Sequence, residues 1–196
     1  MPTQIVLATH NAHKVAEFQG IVSRVRPGVE VVSYNGPEPV EDGTTFAANA
    51  LIKARAAAAH TGLPALADDS GICVDVLGGS PGVFSAYWAG HAKNDGANLT
   101  LLLDQLSDVA RDEDRRAHYN STIALVTPAG AEHTVEGIWP GTLLHAPRGN
   151  GGFGYDPIFC PDGDTRSVAE MSAEEKNTLS HRARAFVELA PLLAEL

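Results

Sequence analysis

Gln4-Ile5-Val6-Leu7-Ala8, running straight into Thr9-His10-Asn11-Ala12-His13-Lys14, decides the fold. The first five residues are a short apolar run that reads as a buried strand. Val15, Phe18, Val22 and Val25 then follow at intervals of three, four and three, the spacing of one helix face. Val29 to Ser33 reads as a second strand. Thr44 is placed to cap a helix through Ala59, stopped by Gly62 and Pro64. Leu63 to Ala67 is another buried strand, Ile72 to Leu77 is β-like again, and Leu99, Leu102, Leu103 and Leu106 mark a further helix. From Ala117 to Trp139, two β-rich segments flank Pro128-Ala129-Gly130, which predicts a hairpin. Ser172-Ala173-Glu174-Glu175 has the capping-box pattern, and Ser180 is placed to cap a last helix carrying Phe186, Leu189 and Leu193. Strands alternating with helices, then a β-rich stretch, predict an α/β protein: a central mixed sheet flanked by helices, two lobes, and a ligand in the cleft between them.

Composition limits the partners. The 196 residues fit one domain, 1–196, and carry 24 Asp+Glu against 14 Lys+Arg, a net charge of −10. Counterion release needs clustered Lys and Arg, so a broad nucleic-acid-binding surface is not expected. A polyanionic small molecule remains possible if the few cations converge. The longest apolar segment, Ala47 to Ala59, is broken by Asn49, Lys53 and Arg55, and falls short of a membrane span. Cys73 and Cys160 are isolated, without CxxC spacing, and the N-terminus lacks a secretory pattern, so a soluble cytoplasmic protein is expected.

Three short motifs match by pattern and fail on mechanism. Gly149-x-Gly151-x-x-Gly154 resembles a dinucleotide fingerprint, but Tyr155-Asp156-Pro157 follows instead of a helix start. Gly78-x-Ser80-x-Gly82 resembles a nucleophile elbow, yet Pro81 lacks the N–H that an oxyanion hole needs there. His10 and His13 have no third metal ligand evident nearby.

Four constellations could carry chemistry. Thr9 to Lys14 lies at a strand–helix junction, where free N–H groups and a lysine suit an anion; an ordinary N-cap with a surface lysine is the competing reading. Leu66-Ala67-Asp68-Asp69-Ser70-Gly71 ends an apolar run in two carboxylates, suited to a metal, or is simply an Asp-Ser-Gly turn. If the strand continued through them, alternation would stop both aspartates facing one spot. Gly149 to Pro157 is dense in glycine, and Phe153 and Tyr155 could offer a face to a base, unless it is a decorated turn. Lys176, with Ser180-His181-Arg182, places positive charge at a helix start, which makes sense beside an anion or carbonyl oxygen and otherwise describes solvated charges.

In order, these segments resemble the inosine triphosphate pyrophosphatase family, the non-canonical purine nucleoside triphosphate pyrophosphatases. The matching pieces are Thr9-x-Asn11-x-x-Lys14, Glu41-x-Gly43-x-Thr45-Phe46-x-x-Asn49-Ala50, Leu66 to Gly71, and Val74-Asp75-x-Leu77-Gly78-Gly79-x-Pro81-Gly82. Trp139-Pro140-Gly141, Gly152 to Pro157, Glu175-Lys176 and Ser180-His181-Arg182 complete the set, spanning roughly residues 3 to 190.

The resemblance implies hydrolysis of ITP, dITP and XTP to monophosphate and pyrophosphate with Mg²⁺, a two-lobed mixed-sheet fold, and a homodimer. It implies that Thr9, His10, Asn11, Ala12, His13 and Lys14 line the phosphate site, with Thr9, Asn11 and Lys14 meeting the phosphates. Glu41 and Asp69 would hold Mg²⁺, and Asp69 would also accept the proton of the attacking water. Ser70, Phe153, Gly154, Tyr155, Asp156, Lys176, His181 and Arg182 would line the nucleotide site. A donor such as His181 or Arg182 aimed at O6 would accept a 6-keto purine and clash with the adenine amino group. Two positions depart from the family: Tyr87 stands where an Arg is usual, and His10 where a small residue is more common. A pyrophosphatase for another modified nucleotide and a silent nucleotide-binding sensor are the alternatives.

Overall fold

Strand β1 (Thr3–Leu7) leads into α1 (Ala12–Val25), β2 (Val29–Ser33), α2 (Phe46–Thr61), β3 (Ala65–Val74) and β4 (Ser80–Pro81). Then come α3 (Asp95–Gln105), β5 (Arg116–Val126), β6 (Glu132–Leu143), β7 (Phe159–Pro161), α4 (Ala173–Leu179) and α5 (His181–Ala194). These elements belong to a computed structural model that describes residues 3–10 and 12–195, the side chains of Ala12, His13, Glu17 and Val25 excepted. The strand order is β2-β1-β3-β5-β6-β7, with β4 on β3. Strand β1 pairs parallel with β2 and β3, whereas β4 on β3 and β7 on β6 are antiparallel, so the sheet is mixed as expected.

The chain divides into two compact units, one of Met1–Asp69, Ser121–Gly137 and Ala185–Leu196, the other of Ser70–Asn120 and Ile138–Arg184. In the first, Ile5 and Leu7 pack with Phe18 and Val22 of α1 and with Phe186, Leu189 and Leu193 of α5. Val6, between them, turns to the other face and meets Ala50, Ala54, Ala57 and Ala58 of α2. The neighbouring strands repeat the alternation: Leu66, Ile123 and Leu125 join the first cluster, and Ala65, Ala67, Ala124 and Val126 join the second. A strand's side chains alternate between faces, so helices on both sides bury every residue and give a continuous apolar run. Alanine predominates on the α2 side, where helix and strands meet through small side chains.

Two expectations need correction. The cap of α2 is Thr45, not Thr44: Thr45 is extended and its hydroxyl accepts from the Ala48 N–H at 3.1 Å. Helix α2 closes at Gly62, whose φ of 69° puts it in the left-handed region as it donates to the Ala58 carbonyl. The two segments expected at Leu63–Ala67 and Ile72–Leu77 merge into one ten-residue strand, β3, which begins at Ala65 and after which Asp75–Leu77 turns away as 3-10 helix. Asp68 to Gly71 therefore lies inside a strand, and the Asp-Ser-Gly turn is not formed. Gly71 is needed there for closeness: a Cβ would sit 2.4 Å from both the Gly82 carbonyl oxygen and Ser85 Oγ.

The second unit packs Ile72, Val74, Leu102, Leu106, Trp139, Leu143 and Phe159 into its core. Arg115, 1% exposed, is fixed by donating to the carbonyls of Leu106, Val109, Leu143 and Leu144. Helix α4 starts with the expected capping box, Ser172 and Glu175 exchanging side-chain and backbone hydrogen bonds. Ser180 ends α4 and accepts from the Ala183 N–H of α5.

Arg166, and then the Ser172 N–H, hold the Glu175 carboxyl down at about 2. A carboxylate with a depressed folded-state pKa stabilises above its ordinary value, 4.5 here, and loses that contribution as pH falls toward 2. Urea unfolding of wild type and Glu175→Gln should therefore show a lower midpoint for the variant at pH 6, the gap narrowing at pH 3. A gap that does not depend on pH would show that the Glu175 charge plays no part in holding α4.

Candidate active site

The alternation of β3 continues through its acidic pair. Asp68 shares the parity of Leu66, on the α1 side, and Asp69 that of Ala67, on the α2 side. Each finds a lysine from the helix on its own face. Lys14 of α1 donates to both Asp68 oxygens, at 2.9 and 3.1 Å, and Asp68 is 6% exposed. Lys53 of α2 lies 3.1 Å from Asp69 Oδ1 and 2.9 Å from Glu41 Oε2. Glu41 reaches this position on the loop between β2 and α2, where the buried Asn49 side chain accepts from the Gly43 N–H at 2.9 Å.

The electrostatics of this group follow from its burial. The Asp69 carboxyl is raised above the ordinary aspartate value chiefly because burial disfavours its charge; Lys53 opposes the rise and Glu41 adds to it. Burial pulls Lys53 down, yet Asp69, Glu41 and Asp68 together outweigh it and leave the ammonium raised. Asp69 Oδ2 is buried and has no hydrogen-bond partner among the described residues. An acceptor oxygen left that way is costly unless a proton donor or a cation completes it. Mg²⁺ is commonly held by one or two carboxylates, with water and substrate phosphates supplying the rest. Glu41 and Asp69 fit that donor set, and no cage of three or more metal-ligating side chains forms among the described residues.

Of the other residues expected at the phosphates, Thr9 lies just beyond β1 and donates its N–H to the Leu7 carbonyl. The His10 ring faces the β2–α2 loop, with Nε2 3.0 Å from the Gly36 carbonyl oxygen, Nδ1 3.2 Å from Glu38, and the ring stacked on Tyr34. Asn11, and the side chains of Ala12 and His13, lie outside the described residues.

The second unit gathers its residues around Asp156, which is 2% exposed. Its Oδ2 accepts from the Phe153 N–H at 2.9 Å and contacts the Lys176 ammonium; its Oδ1 accepts from the Tyr119 hydroxyl at 3.3 Å. Lys176 also sits 4.4 Å from the centre of the Phe153 ring, a cation–π contact. Gly152 allows the arrangement: a Cβ there would lie 2.1 Å from Asp156 Oδ2. After Gly154 a short 3-10 turn leads into β7, so no helix follows the glycine pattern.

Of the two rings expected to offer a face to a base, Phe153 is 64% exposed, but Tyr155 is buried and its hydroxyl donates to the Ser85 carbonyl at 2.8 Å. The glycine-rich turn carries one ring outward and the next into the core. Gly154 donates its N–H to Asp95, and Ser70 is half-buried in β3. His181, the first residue of α5, is 7% exposed and stacks on Tyr119, with Arg182 half-buried beside it. Tyr87, at the position of family departure, stacks on His91.

Sequence reasoning missed Lys53, Asn49 as its neighbour, and Tyr119. Asn49 and Lys53 stand four residues apart, hence on one face of an alanine-rich helix. Two polar residues at that spacing on a helix otherwise built to be buried were the available signal. Tyr119 gave none, because an aromatic residue in a β-rich run reads as core.

The profile of the Ham1 family matches residues 5–192. The dITP/XTP pyrophosphatase of Leifsonia xyli is 58% identical over 193 residues, which is 98% of this chain and 96% of that protein. That of Streptomyces coelicolor is 53% identical, covering 99% and 98%. A HAM1 protein from Coxiella burnetii superimposes with a TM-score of 0.91 at 40% identity, covering 99% of this chain and all of that one. The dITP/XTP pyrophosphatase structure from Mycobacterium abscessus gives 0.83 at 49% identity, covering 96% and 100%.

Replacing Lys53 by Met leaves Asp69, a largely buried carboxylate, without its charged partner. Unfolding in urea with chelator present should show a loss of about 1–3 kcal/mol. The double variant Lys53→Met, Asp69→Asn should recover most of that loss, because no unpaired charge remains buried. Equal stability of the single variant and wild type would contradict the pairing.

Proposed function

The chain belongs to the Ham1 family, and on that footing we propose that it hydrolyses ITP, dITP and XTP to the nucleoside monophosphate and pyrophosphate, using Mg²⁺. The observation that carries this reading is the buried, unpartnered Asp69 Oδ2 beside Glu41 and Lys53. The activity named for the Leifsonia and Streptomyces relatives supports it.

Water attacks the α-phosphorus, its oxygen forms the new P–O bond, and the bond to the bridging oxygen of the β-phosphate breaks. Asp69 Oδ2 takes the proton of that water; burial raises this carboxyl's basicity, which suits a general base. Lys53 keeps Asp69 oriented and ionised before substrate arrives. Glu41 and Asp69 would hold the magnesium, which when bound supplies positive charge to the phosphate oxygens. Lys14, with Thr9 and Asn11, receives the negative charge that collects on the departing pyrophosphate, and Lys14 exchanges Asp68 for phosphate as it does so.

Phe153 stacks on the base, which any purine allows, so rejection of adenine falls to donors from His181 and Arg182 directed at a 6-keto oxygen, while guanine, which shares that oxygen, is told apart at its 2-position. A mispaired donor costs about 1–3 kcal/mol, enough to disfavour adenine tenfold to more than a hundredfold. The residues 1–196 act as one catalytic domain, in the cytoplasm and as a homodimer, which light scattering would report as a mass of two chains.

Purified protein with Mg²⁺ should convert ITP, dITP and XTP to monophosphate and pyrophosphate, with ATP and GTP much poorer substrates. Release of orthophosphate in place of pyrophosphate would contradict the reading. Asp69→Asn should lower kcat on the order of 10²–10³-fold while nucleotide still binds. Wild type that binds ITP without turnover would identify a sensor instead.

A further inference from the structure

His181 is held in a stack of rings. Tyr119 of β5 lies parallel to it, with centroids 4.8 Å apart and planes 12° from parallel. Trp139 of β6 is stacked at 6.5 Å and 26°. The edge of Phe159 closes on Tyr119 at 4.8 Å and 71°, which fixes the Tyr119 ring in turn. A small imidazole stacked on larger rings keeps one plane, and its edge stays available for hydrogen bonding.

The Tyr119 hydroxyl does a second job. It donates to Asp156 Oδ1, while Oδ2 of the same carboxylate accepts from the Phe153 N–H and meets Lys176. A carboxylate this buried is stable only while its donors stay in place. Burial and the neighbouring Asp156 push the Tyr119 phenol well above its ordinary range, so it remains a donor. One side chain thus touches both His181, at the start of α5, and the carboxylate that seats Phe153 and Lys176.

We propose that Tyr119 is a positioning residue for base recognition: its ring sets the plane of His181, and its hydroxyl, through Asp156, fixes the seat of Phe153. The inference rests on the reading that His181 and Phe153 meet the base. Tyr119 itself, 8% exposed, acts through them. The ring and the hydroxyl are separable. Tyr119→Phe keeps the stack and drops only the bond to Asp156; Tyr119→Leu drops both.

The test uses the full chain and two readouts. The first is the NMR shift of the His181 ring protons, which a stacked aromatic ring displaces. Tyr119→Phe should leave it near the wild-type position, and Tyr119→Leu should move it. The second is kcat and KM for dITP and dATP. Tyr119→Phe should raise KM for both several-fold with kcat nearly unchanged, the mark of lost binding. Tyr119→Leu should also shrink the preference for dITP over dATP by about tenfold.

Folded variants with wild-type KM and preference overturn the proposal, as does an unmoved His181 signal in Tyr119→Leu. Should Tyr119→Leu not fold, the KM change in Tyr119→Phe decides. If wild type hydrolyses neither nucleotide, the enzymatic reading falls. In that case the His181 signal together with dITP affinity still tests Tyr119, since loss of affinity in Tyr119→Phe supports positioning and equal affinity overturns it.

Discussion

Consecutive residues on a strand point to opposite faces, and at Asp68-Asp69 that rule sorts the charge of the candidate site. Had β3 ended at Ala67, the two carboxylates would have shared a turn and repelled each other. Because the strand continues to Val74, Asp68 goes to Lys14 on the α1 side and Asp69 to Lys53 on the α2 side. The helices supplying those lysines are held by the same alternation one step earlier, through Leu66 on one face and Ala65 and Ala67 on the other. Packing and electrostatics therefore share a single register: a one-residue slip of β3 would put leucine against α2 and exchange the partners of both aspartates.

The second unit meets a comparable problem with another device. Asp156 is as buried as a core leucine, and three donors from separate segments converge on it. The arrangement holds an exposed phenylalanine in one position on a glycine-rich turn that would otherwise have many. Glycine serves here for space as well as freedom: the Cβ missing at Gly152 is the room that Asp156 Oδ2 occupies. Three of the four lysines, Lys14, Lys53 and Lys176, are paired with carboxylates, two in the first unit and one in the second, so few of this chain's scarce lysines are spent on open surface.

Much of this was legible in the sequence because it depends on local patterning. The β1 run, the helix face of Val15, Phe18 and Val22, the hairpin about Pro128-Ala129-Gly130 and the Ser172 capping box all appear where periodicity and caps placed them. What was not legible depends on contacts distant in the chain. The continuity of β3 through Asp68-Asp69 is set by partners from two helices, which no local propensity reports. Thr45 caps α2 although an equally suitable threonine, Thr44, stands beside it, and the choice is made by which hydroxyl reaches the Ala48 N–H. Tyr155 and Phe153 are two residues apart and similar in type, yet a carbonyl at Ser85 draws one inward and leaves the other exposed. Lys53 stands out as a charge on an alanine-rich helix, but its role depends on Glu41 arriving from a loop.

The central claim is that a carboxylate held on the α2 face of β3 directs water to the α-phosphorus of a nucleoside triphosphate. Turnover of dITP in oxygen-18 water, followed by mass spectrometry of both products, tests it most directly. The account predicts one labelled oxygen in the monophosphate and none in the pyrophosphate. Label in the pyrophosphate would place the attack at the β-phosphorus and contradict it.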